Sequence, residues 1–398
     1  MADSCDILVS GGGIAGLMAA ATFGAAGFRV ICVDPTAPVT TRDDAGSDLR
    51  TTAILQPARG LLQEAGIWSH LEPHAAALRI MRIIDAGGAE PEARVVKDFD
   101  SADLSGEPFG WNLPNWLLRR ELLGRLADLS TVDFRPGVGT TSLFTRTASA
   151  RVGLSDGSRI SARLVLACDG RNSPMRTAAG IAVTTRRYGQ KALAFAVTHD
   201  QPHDNISTEI HRSGGPFTLV PLPDHEGRPS SAVVWMERGP RAQDLLTMDP
   251  AKFEAAMNRR SCGVLGDLKL ASRRTIWPII SQSAERLNGE RLALMAEAAH
   301  VVPPIGAQGL NMSLGDLRAL LDLAVANPTD LGDAKMLAAY HRARHGDIQM
   351  RIKGIDLLNR TSMLAPRPLR DLRAFGLNAL YSLAPVRRNL MQMGLGVK

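Results

Sequence analysis

Apolar and polar positions near the amino end of the chain predict three successive elements. Residues 6–10, which are apolar at 7–9, predict a short buried strand. Small and apolar residues at 17–26 predict a helix, and Gly27 is its expected stop. Residues 29–33, which are apolar from Val30 onward, predict a second strand, which ends at Asp34. A strand, a helix and a strand therefore follow one another directly.

The turn between the first strand and the helix has the spacing G-x-G-x-x-G and comprises Gly11, Gly12, Gly13, Ile14, Ala15 and Gly16. Gly11 permits a tight turn, Gly13 lets the backbone approach a pyrophosphate, and Gly16 lets helix and strand pack closely. The amino end of the helix has unpaired N–H groups that can bind phosphate, and Asp34 is placed to accept hydrogen bonds from a ribose. The glycine-rich turn between these elements, together with Asp34, predicts a dinucleotide site. The alternative is a glycine-rich turn that serves only the packing of the protein.

Two later motifs indicate which dinucleotide is bound. The first is an apolar strand at 164–168 that is followed directly by Asp169 and Gly170. The second is the segment 295–311, which leads into a further helix. Both motifs are typical of FAD proteins, whereas an NAD enzyme would have its substrate machinery in this part of the chain. The sequence therefore favours FAD.

The middle of the chain is rich in β-branched and aromatic residues. Residues 194–197, 217–221 and 232–235 each predict a strand of a second sheet. After Pro366, arginines alternate with apolar residues, and this pattern predicts an amphipathic basic helix. Such a helix can lie on an anionic membrane or pack against the protein itself.

Composition places the chain among ordinary globular proteins. Of 398 residues, 45% are hydrophobic and 22% are charged, which excludes the disordered and low-complexity classes and suits two domains or one elaborated domain. No apolar run in the sequence is long enough to span a membrane. Asp3 and Asp6 stand where a signal peptide would need basic residues. We therefore expect a cytoplasmic protein.

Cysteine spacing and charge argue against several further classes. The four cysteines show no C-x-x-C spacing, so neither a metal site nor a disulfide framework is expected. The net charge is +6, but the arginines are scattered singly and in pairs and form no basic block. We expect no nucleic-acid partner, and the positive charge suits an anionic cofactor or membrane surface.

The three motifs, in this order and spacing, resemble those of the flavoprotein aromatic hydroxylases of the para-hydroxybenzoate hydroxylase type, and most closely those of the FAD-dependent hydroxylases of ubiquinone biosynthesis. The resemblance extends into the carboxyl tail, at 375–377, 385–388 and 393–396. It implies an α/β fold: a Rossmann-like FAD-binding domain of the glutathione-reductase type, with an inserted β-sheet substrate domain and a helical carboxyl terminus. The implied ranges are 1–75, 100–180 and 284–345 for the FAD-binding domain, 76–99 and 181–283 for the substrate domain, and 346–398 for the carboxyl-terminal segment.

The resemblance also implies a set of FAD-binding residues. They are Gly11, Gly13, Ile14, Ala15, Gly16, Asp34, Arg50, Arg119, Asp169, Gly170, Glu297, Pro303, Gly306, Gly309, Leu310 and Asn311. Arg50 and Arg119 match arginines near the FAD pyrophosphate, where a guanidinium fork suits phosphate oxygens; solvated surface charges are the alternative. Gly309 matches a helix start beside the flavin ring, whose N–H groups can stabilise negative charge on the reduced flavin. His300 is expected to pack in the framework of its motif rather than act as a base.

One pair of residues departs from the family pattern. The family has Gly-Asp before Ala-Ala-His, with the carboxylate bonding a ribityl hydroxyl, whereas this chain has Ala296 and Glu297. Ala296 adds a Cβ at a position of close approach, and Glu297 adds a methylene while it keeps the charge. Loss of one such hydrogen bond, about 1–2 kcal/mol, would weaken FAD binding about tenfold.

The reaction that the resemblance implies is hydroxylation of an aromatic ring. NAD(P)H reduces FAD, O₂ adds to the flavin, and the C4a-hydroperoxide attacks an electron-rich ring, here a polyprenylated phenol of ubiquinone biosynthesis. The sequence has no second strand-GxGxxG-helix unit, so NAD(P)H is expected to bind transiently. The protein positions the ring and excludes water. Phe217, Pro221 and Trp235 are candidates for the pocket lining, with core packing as the alternative, and no side chain is identified as catalytic.

Two other functions remain open. One is a flavin oxidoreductase of the same fold that does not hydroxylate, such as a geranylgeranyl-type reductase or a halogenase. The other is a non-catalytic FAD-binding accessory subunit of a biosynthetic complex, which only the departure at Ala296 and Glu297 favours. A lipid-tailed substrate also suggests peripheral contact with the inner face of a membrane through the segment after Pro366.

Overall fold

Helices and strands alternate along the chain in a computed structural model that describes residues 3–87, 92–212, 214–363, 381 and 384–395. The helices are α1 (Ile14–Ala25), α2 (Gln56–Glu64), α3 (Trp68–Leu71), α4 (Asn115–Ala127), α5 (Pro174–Ala178), α6 (Gly239–Thr247), α7 (Pro250–Ser261), α8 (Gln308–Ala326), α9 (Ala334–Ser362) and α10 (Ala384–Leu395). The strands are β1 (Asp3–Ser10), β2 (Val30–Asp34), β3 (Thr51–Leu55), β4 (Ala76–Leu78), β5 (Ile80–Asp85), β6 (Val95–Asp100), β7 (Gly110–Pro114), β8 (Val132–Pro136), β9 (Thr140–Thr145), β10 (Ala150–Leu154), β11 (Arg159–Ala167), β12 (Val183–Thr198), β13 (Ile206–His211), β14 (Pro216–His225), β15 (Arg228–Arg238), β16 (Lys269–Leu270), β17 (Thr275–Ala284), β18 (Asn288–Gly289), β19 (Leu292–Leu294) and β20 (His300–Val301).

The first sheet is built around β1. Its strand order is β18-β19-β11-β1-β2-β8, and the pairs from β19 to β8 are all parallel. Strands β9 and β10 extend it as an antiparallel arm beside β11. The strands predicted at 6–10 and 29–33 and the helix predicted at 17–26 are confirmed as β1, β2 and α1. A parallel sheet with a helical crossover is the predicted α/β arrangement, so the fold class is confirmed.

Helix α1 is enclosed because its residues are almost all small or apolar. Leu17, Met18 and Phe23 are fully buried, as are Ile7 and Leu8 of β1. A helix that is apolar on all sides is stable only when it is covered on all sides. Here β2, α4 and α8 surround it, which places the amino end of α1 at the edge of the sheet where β1 ends.

Within the described residues the second sheet has nine strands, in the order β20-β17-β12-β15-β14-β13-β5-β6 with β16 paired to β12. The strands predicted at 194–197, 217–221 and 232–235 are confirmed within β12, β14 and β15. Helices α6 and α7 cover one face and close a second hydrophobic core. Strand β20 comes from the range 284–345, predicted for the FAD-binding domain, yet it pairs with β17 of this sheet.

Helix α9 connects the two large sheets. Near its start the hydroxyl of Tyr340 donates to the carbonyl of Leu294 in β19, and near its end Asp356 accepts from the hydroxyl of Tyr188 in β12. A small third sheet, β3-β7-β4, contacts both α8 and β14. The loops between these elements therefore lie where the first and second sheets approach each other.

The sequence led to expectations about membrane-spanning helices, metal sites and disulfide bonds. Among the described residues, no helix is long and apolar enough to cross a membrane, and no group of three or more His, Cys, Asp or Glu side chains fits a metal ion. The four cysteines are free, and burial raises the pKa of the Cys5 thiol to about 12. The amphipathic pattern after Pro366 falls mainly on 364–380, outside the described residues.

Candidate functional site

The glycine-rich turn follows β1 at the edge of the first sheet. Gly11 has φ +103°, a conformation that favours glycine, and its N–H donates to the carbonyl of Val33 over 2.8 Å. A Cβ on Gly11 would lie 2.5 Å from the carbonyl oxygen of Cys168. A Cβ on Gly16 would lie 1.8 Å from the carbonyl oxygen of Gly11. Packing of β1, α1 and β11 therefore requires glycine at both positions.

Gly13, at the amino end of α1, is a different case. A Cβ there would meet no atom within 4 Å, so packing within the protein does not explain the glycine. Gly13 is the N-cap residue of α1, and it supplies no side chain to cap the helix. The first N–H groups of α1 can therefore bind an anion such as a phosphate, which the absence of a Cβ lets approach closely.

Asp34 lies beside this turn at the end of β2. Its Oδ2 accepts from the N–H of Gly12 over 2.7 Å, and its Oδ1 accepts from the N–H of Thr36 over 2.8 Å. These two hydrogen bonds fix the carboxylate at the edge of the turn. Each oxygen keeps acceptor capacity for a further donor, such as a ribose hydroxyl.

Arg50 and Arg119 meet at one carboxylate, that of Asp48. Arg50 donates through Nε to Asp48 Oδ1 over 2.8 Å and through Nη2 to Oδ2 over 2.7 Å, and Nη2 of Arg119 lies 3.6 Å from the same Oδ2. Asn115 also donates to Oδ2, over 2.9 Å. Burial raises the pKa of Asp48, but Arg50, Asn115 and Arg119 outweigh it and hold that pKa below its usual range. Asp48 therefore orients both predicted arginines, although the sequence marks it only by its place two residues before Arg50.

Asp169 follows β11, next to β1. Its Oδ2 accepts from the hydroxyl of Ser10 over 3.2 Å and from the N–H of Met175 over 3.1 Å. Its Oδ1 is buried and has no hydrogen-bond partner among the described residues. Burial raises the pKa of this carboxyl. A buried acceptor of this kind is unfavourable until a donor meets it, so Asp169 suits a hydroxyl-bearing cofactor.

The loop before α8 begins at Ala296, which adopts the left-handed conformation with φ +55°. A Cβ makes this conformation unfavourable by roughly 1–2 kcal/mol, which is a physical reason for the glycine of the family pattern. Glu297 follows with an exposed side chain. The pKa of Arg50 is raised first by its hydrogen bonds to Asp48 and also by the charge of Glu297. The departure at 296–297 therefore keeps a carboxylate near the arginine of the site.

The same loop ends in the turn that starts α8, which we name the α8 turn (residues 306–309). Gly306 and Ala307 both adopt the left-handed conformation, with φ +63° and +56°. A Cβ on Gly309 would meet no atom within 4 Å, so the backbone of the first helical turn is open to a ligand. Ala307, the N-cap residue of α8, supplies no side chain to cap the helix, and the first N–H groups of α8 can stabilise negative charge.

Asn311 cross-links α8 to β3. Its Oδ1 accepts from the N–H of Leu55 over 2.9 Å. Its Nδ2 donates to the carbonyls of Ala53 and Ala307 over 2.8 Å and 2.7 Å. Both amide donors are thus used within the protein, and the side chain of Asn311 holds the α8 turn against β3.

His300 lies in β20 and is buried. Its Nε2 lies 2.6 Å from Oδ2 of Asp316 on α8, and Oδ1 of Asp316 accepts from Nε of Arg344 on α9 over 2.8 Å. Buried polar groups of this kind are tolerated because each has a hydrogen-bond partner. The framework role expected for His300 agrees with this network.

Phe217 and Trp235 lie in the core between the second sheet and helices α6 and α7. Both are buried, with ring centroids 5.4 Å apart, and Phe253 of α7 packs on Trp235. Both are therefore core residues, the alternative that the sequence left open, because α6 and α7 fill this face of the sheet. Pro221 is buried too, and its carbonyl accepts from Nδ2 of Asn112 over 2.9 Å.

The opposite face of the second sheet carries Val234, Met236 and Trp277, which pack together. The guanidinium of Arg50 lies over the ring of Trp277, 5.5 Å from its centroid. This apolar face therefore adjoins the residues gathered at Asp48. Strand periodicity predicts two faces without indicating which one faces the site, and for this reason sequence reasoning missed these three residues.

The remaining predicted residues lie within the turns described above. Ile14 and Ala15 begin α1, Gly170 follows Asp169, Pro303 accepts from the N–H of Ile305 over 2.8 Å, and Leu310 packs partly on the main core. The uncapped starts of α1 and α8 suit an anionic cofactor, and the unpartnered oxygen of Asp169 suits one with hydroxyl groups. A flavin dinucleotide has both properties, so the residues present fit it.

Comparison with known proteins gives a family and several relatives. Residues 4–352 match the sequence profile of the family described as FAD binding domain. The chain is 30% identical to the ubiquinone hydroxylase UbiL of Rhodospirillum rubrum over 394 residues, which cover 98% of this chain and 89% of that protein. It is 27% identical to the 3-demethoxyubiquinol 3-hydroxylase of Escherichia coli, over 98% of each chain.

Solved structures share the fold. The p-nitrophenol 4-monooxygenase PnpA of Pseudomonas putida superposes with a TM-score of 0.81 over 100% of this chain and 99% of that one, at 18% identity. PqsL of P. aeruginosa, in complex with 2-aminobenzoylacetate, superposes with a TM-score of 0.78 over 94% of this chain and 100% of that one, at 21% identity. At these identities the likeness concerns the fold alone.

Proposed function

The chain belongs to the FAD-binding-domain family, and from this premise we propose that it is an FAD-dependent monooxygenase that hydroxylates an aromatic ring with NAD(P)H and O₂. Its substrate is a polyprenylated phenol of ubiquinone biosynthesis, because two relatives similar over nearly the whole chain are named ubiquinone and demethoxyubiquinol hydroxylases. The observation that carries the proposal is one site that combines the open position at Gly13, the unpartnered oxygen of Asp169 and the uncapped start of α8.

We assign the two roles of such an enzyme to the two large sheets. The first sheet binds FAD, because the glycine-rich turn, Asp34 and Asp169 all follow its parallel strands at the same edge. The second sheet supplies the wall of the substrate pocket, because the face that carries Trp277 adjoins Arg50. The domain ranges expected from the resemblance stay a prediction: β20, from the range expected for the FAD-binding domain, pairs with β17, and β4, from the range expected for the substrate domain, pairs with β7.

Bound FAD, once reduced by NAD(P)H, supplies the activated oxygen. The chain's own residues bind the cofactor, orient the ring and exclude water. The starts of α1 and α8 offer N–H groups to the anionic parts of the cofactor. The partly buried side chains of Val234 and Trp277, which pack beside the buried Met236, can contact an aromatic ring and keep the pocket dry.

The decisive experiment follows the flavin and the product together. The purified protein is expected to show a visible flavin absorption band, which anaerobic NADPH bleaches faster when a short-chain polyprenylphenol is present than with a polyprenyl alcohol that lacks the ring. On admission of O₂, mass spectrometry is expected to find the phenol with one added oxygen. Flavin reduction without that product would replace the proposal by a non-hydroxylating oxidoreductase.

A colourless protein that takes up no added FAD would support the other candidate, an accessory subunit. The observation that favours this candidate is the strained Ala296, which stands where the family pattern has glycine. The visible absorption spectrum of the purified protein thus distinguishes the proposed enzyme from an accessory subunit.

We further propose that the protein contacts an anionic membrane surface peripherally, through an α9 stripe formed by Arg342, Met350, Lys353, Leu357 and Leu358. The three apolar members are 58%, 63% and 55% exposed, respectively. Along α9, which is described throughout, none of the exposed residues is acidic. Exposed apolar and basic side chains along one helix suit an anionic lipid surface, where a polyprenyl substrate would dissolve.

Liposome co-sedimentation tests this surface. The wild-type chain is expected to sediment with anionic vesicles more than with zwitterionic ones, and the double substitution Leu357→Ser and Leu358→Ser is expected to lower the bound fraction. Val325→Ser is the control, because Val325 on α8 is also an exposed apolar residue, at 54%. Equal binding by all three proteins would reject the α9 stripe as the contact surface.

A further inference from the structure

The α8 turn holds two consecutive residues in the left-handed conformation, Gly306 and Ala307. A residue with a Cβ is unfavourable there, so Ala307 keeps this conformation only because other contacts fix the turn. Asn311 supplies one of them from the carboxyl side. The side chain of Gln308 supplies the others.

Gln308 fixes the turn through its amide nitrogen. Nε2 donates to the carbonyl of Gly306 over 2.9 Å and to the carbonyl of Gly394, near the end of α10, over 2.8 Å. The residue is buried, so these hydrogen bonds are little weakened by competing water. They form only while the nitrogen of the amide, and not its oxygen, points at the two carbonyls.

Arg351 on α9 determines which way the amide points. Its Nη1 donates to Oε1 of Gln308 over 2.6 Å. A guanidinium has donors only, so it pairs with the oxygen end of an amide and not with the nitrogen end. If the amide were flipped, its nitrogen would face the guanidinium of Arg351 and its oxygen would face the carbonyl of Gly306. Neither pair could then form a hydrogen bond.

Arg351 is itself held in a chain of ion pairs along α9. Its Nε donates to Oδ1 of Asp347 over 3.0 Å, and Oδ2 of Asp347 accepts from Arg344 over 2.8 Å. Arg344 also donates to Asp316, which is the hydrogen-bond partner of His300. Burial raises the pKa of Asp347, but Arg351 and Arg344 outweigh it and hold that pKa below its usual range, so the carboxylate is charged at neutral pH. The loop before α8 is thus linked to α9 at two points, at Gln308 through Arg351 and at His300 through Asp316 and Arg344.

We propose that Arg351 is a positioning residue that holds the α8 turn through Gln308. The proposal rests on the proposed function in one respect, namely that the first N–H groups of α8 face the flavin. When the turn is held in place, these groups stabilise negative charge on the reduced ring. A loosened turn would therefore weaken FAD binding and shift the reduction potential of the flavin to more negative values.

Arg360 offers a matched control on the same helix. Arg351 and Arg360 each pair with the aspartate four residues before, with Nε to carboxylate distances of 3.0 Å and 3.1 Å. Arg360 is 56% exposed, whereas Arg351 is 21% exposed and reaches Gln308. Replacement by Met removes the same kind of ion pair at both positions, but only Arg351→Met releases the amide.

Amide hydrogen exchange of the protein without cofactor measures the turn directly. Arg351→Met is expected to speed exchange at residues 306–310 about tenfold, the effect of losing one charge-assisted hydrogen bond, and Arg360→Met is expected to leave it unchanged. Gln308→Glu keeps an acceptor for Arg351 but cannot donate to Gly306, so it is expected to speed exchange while the ion pairs of α9 persist. Wild-type exchange in either Arg351→Met or Gln308→Glu, or an equal effect of Arg360→Met, would overturn the proposal.

Titration with FAD and measurement of the reduction potential link the turn to the cofactor. Arg351→Met is expected to bind FAD about tenfold more weakly, with a more negative potential, and Arg351→Lys, which keeps a donor, is expected to recover most of both. Faster exchange with unchanged FAD affinity and potential would mean that Arg351 holds the turn without serving the cofactor, and would reject the proposal. If the wild-type chain binds no FAD, the proposed function fails, while the exchange rates still decide whether Arg351 holds the turn.

Discussion

The two glycine-bearing turns of the site are held in different ways. At the turn after β1, Gly11 and Gly12 donate their N–H groups to β2, to partners 22 positions away in the chain. At the α8 turn, the side chain of Asn311 binds β3, and the side chain of Gln308 binds α9 and α10. These partners lie between 43 and 258 positions away in the chain. The first turn is therefore held mainly by its own backbone N–H groups, whose partners lie close in the chain, and the second by side chains whose partners lie far away in the chain.

This difference predicts different weaknesses. The turn after β1 is sensitive to any added Cβ, because glycines there contact backbone or leave room for a ligand. The α8 turn already contains Ala307 in a left-handed conformation, so it tolerates a Cβ but depends on the amides of Asn311 and Gln308. Substitutions at each turn can test whether the two modes of support are really distinct.

The largest effect is expected from Gly16→Ala. The new Cβ would lie 1.8 Å from the backbone oxygen of Gly11, and a backbone atom cannot move aside as a flexible side chain can. We expect a loss of about 3 kcal/mol in the free energy of unfolding, measured by urea denaturation. Gly60→Ala in α2 is the control, since its Cβ would meet no atom within 4 Å and alanine favours the helix. Equal stability of the two variants would show that β1 and α1 do not pack as closely as described.

Gly13→Ala separates the ligand role of the same turn from its packing role. Its Cβ meets no protein atom within 4 Å, so we expect the free energy of unfolding to change by less than about 1 kcal/mol. FAD affinity, measured by fluorescence titration, is expected to fall about 100-fold, or about 2.7 kcal/mol, because the phosphates can no longer approach the N–H groups of α1. Unchanged FAD affinity would mean that the phosphates of FAD do not bind at this turn.

Asn311→Ala tests the second mode of support. It leaves the buried N–H of Leu55 without its partner and frees the carbonyls of Ala53 and Ala307. We expect a loss of about 2 kcal/mol in the free energy of unfolding and faster amide exchange at residues 306–310. Asn389→Ala, at an exposed position of α10, is the control, and a similarly small effect of both substitutions would mean that β3 does not support the α8 turn.

The contrast between the turns also explains what could be predicted from the sequence. The strand, turn and helix at 6–26 were predictable because one pattern of glycines and apolar residues encodes all of them. The strands of the second sheet were predictable for the same reason, since alternation along a strand is local. These elements establish the fold class, whereas the FAD-binding roles of their residues stay a prediction.

What could not be predicted depends on contacts between distant residues. Asp48 gathers two arginines only because Arg119 approaches it in space, and Arg351 reaches Gln308 only because α9 crosses behind α8. The face of the second sheet that adjoins the site, with Trp277, could not be told from the face with Phe217, because both faces carry apolar residues. A single sequence has no local signal for any of these contacts.

The smallest expected effect concerns Ala296, where the chain departs from the family pattern. Its φ of +55° is unfavourable for alanine and acceptable for glycine. Ala296→Gly is therefore expected to raise the free energy of unfolding by about 1 kcal/mol, which for a chain of this length raises Tm by about 1 °C. The gain appears even though glycine has more conformational freedom in the unfolded chain, because relief of the strain exceeds that entropy.

Ala299→Gly decides whether strain is the cause. Ala299 lies three residues further on with φ −92°, an ordinary conformation, and is buried like Ala296. Glycine there removes a methyl group without relieving strain, so Tm is expected to fall. A fall in Tm for both variants would mean that Ala296 is not strained, and the departure from the family pattern would then affect FAD through Glu297 alone. A rise for Ala296→Gly alone would show that this chain tolerates, next to its cofactor site, a conformation that its own side chain disfavours.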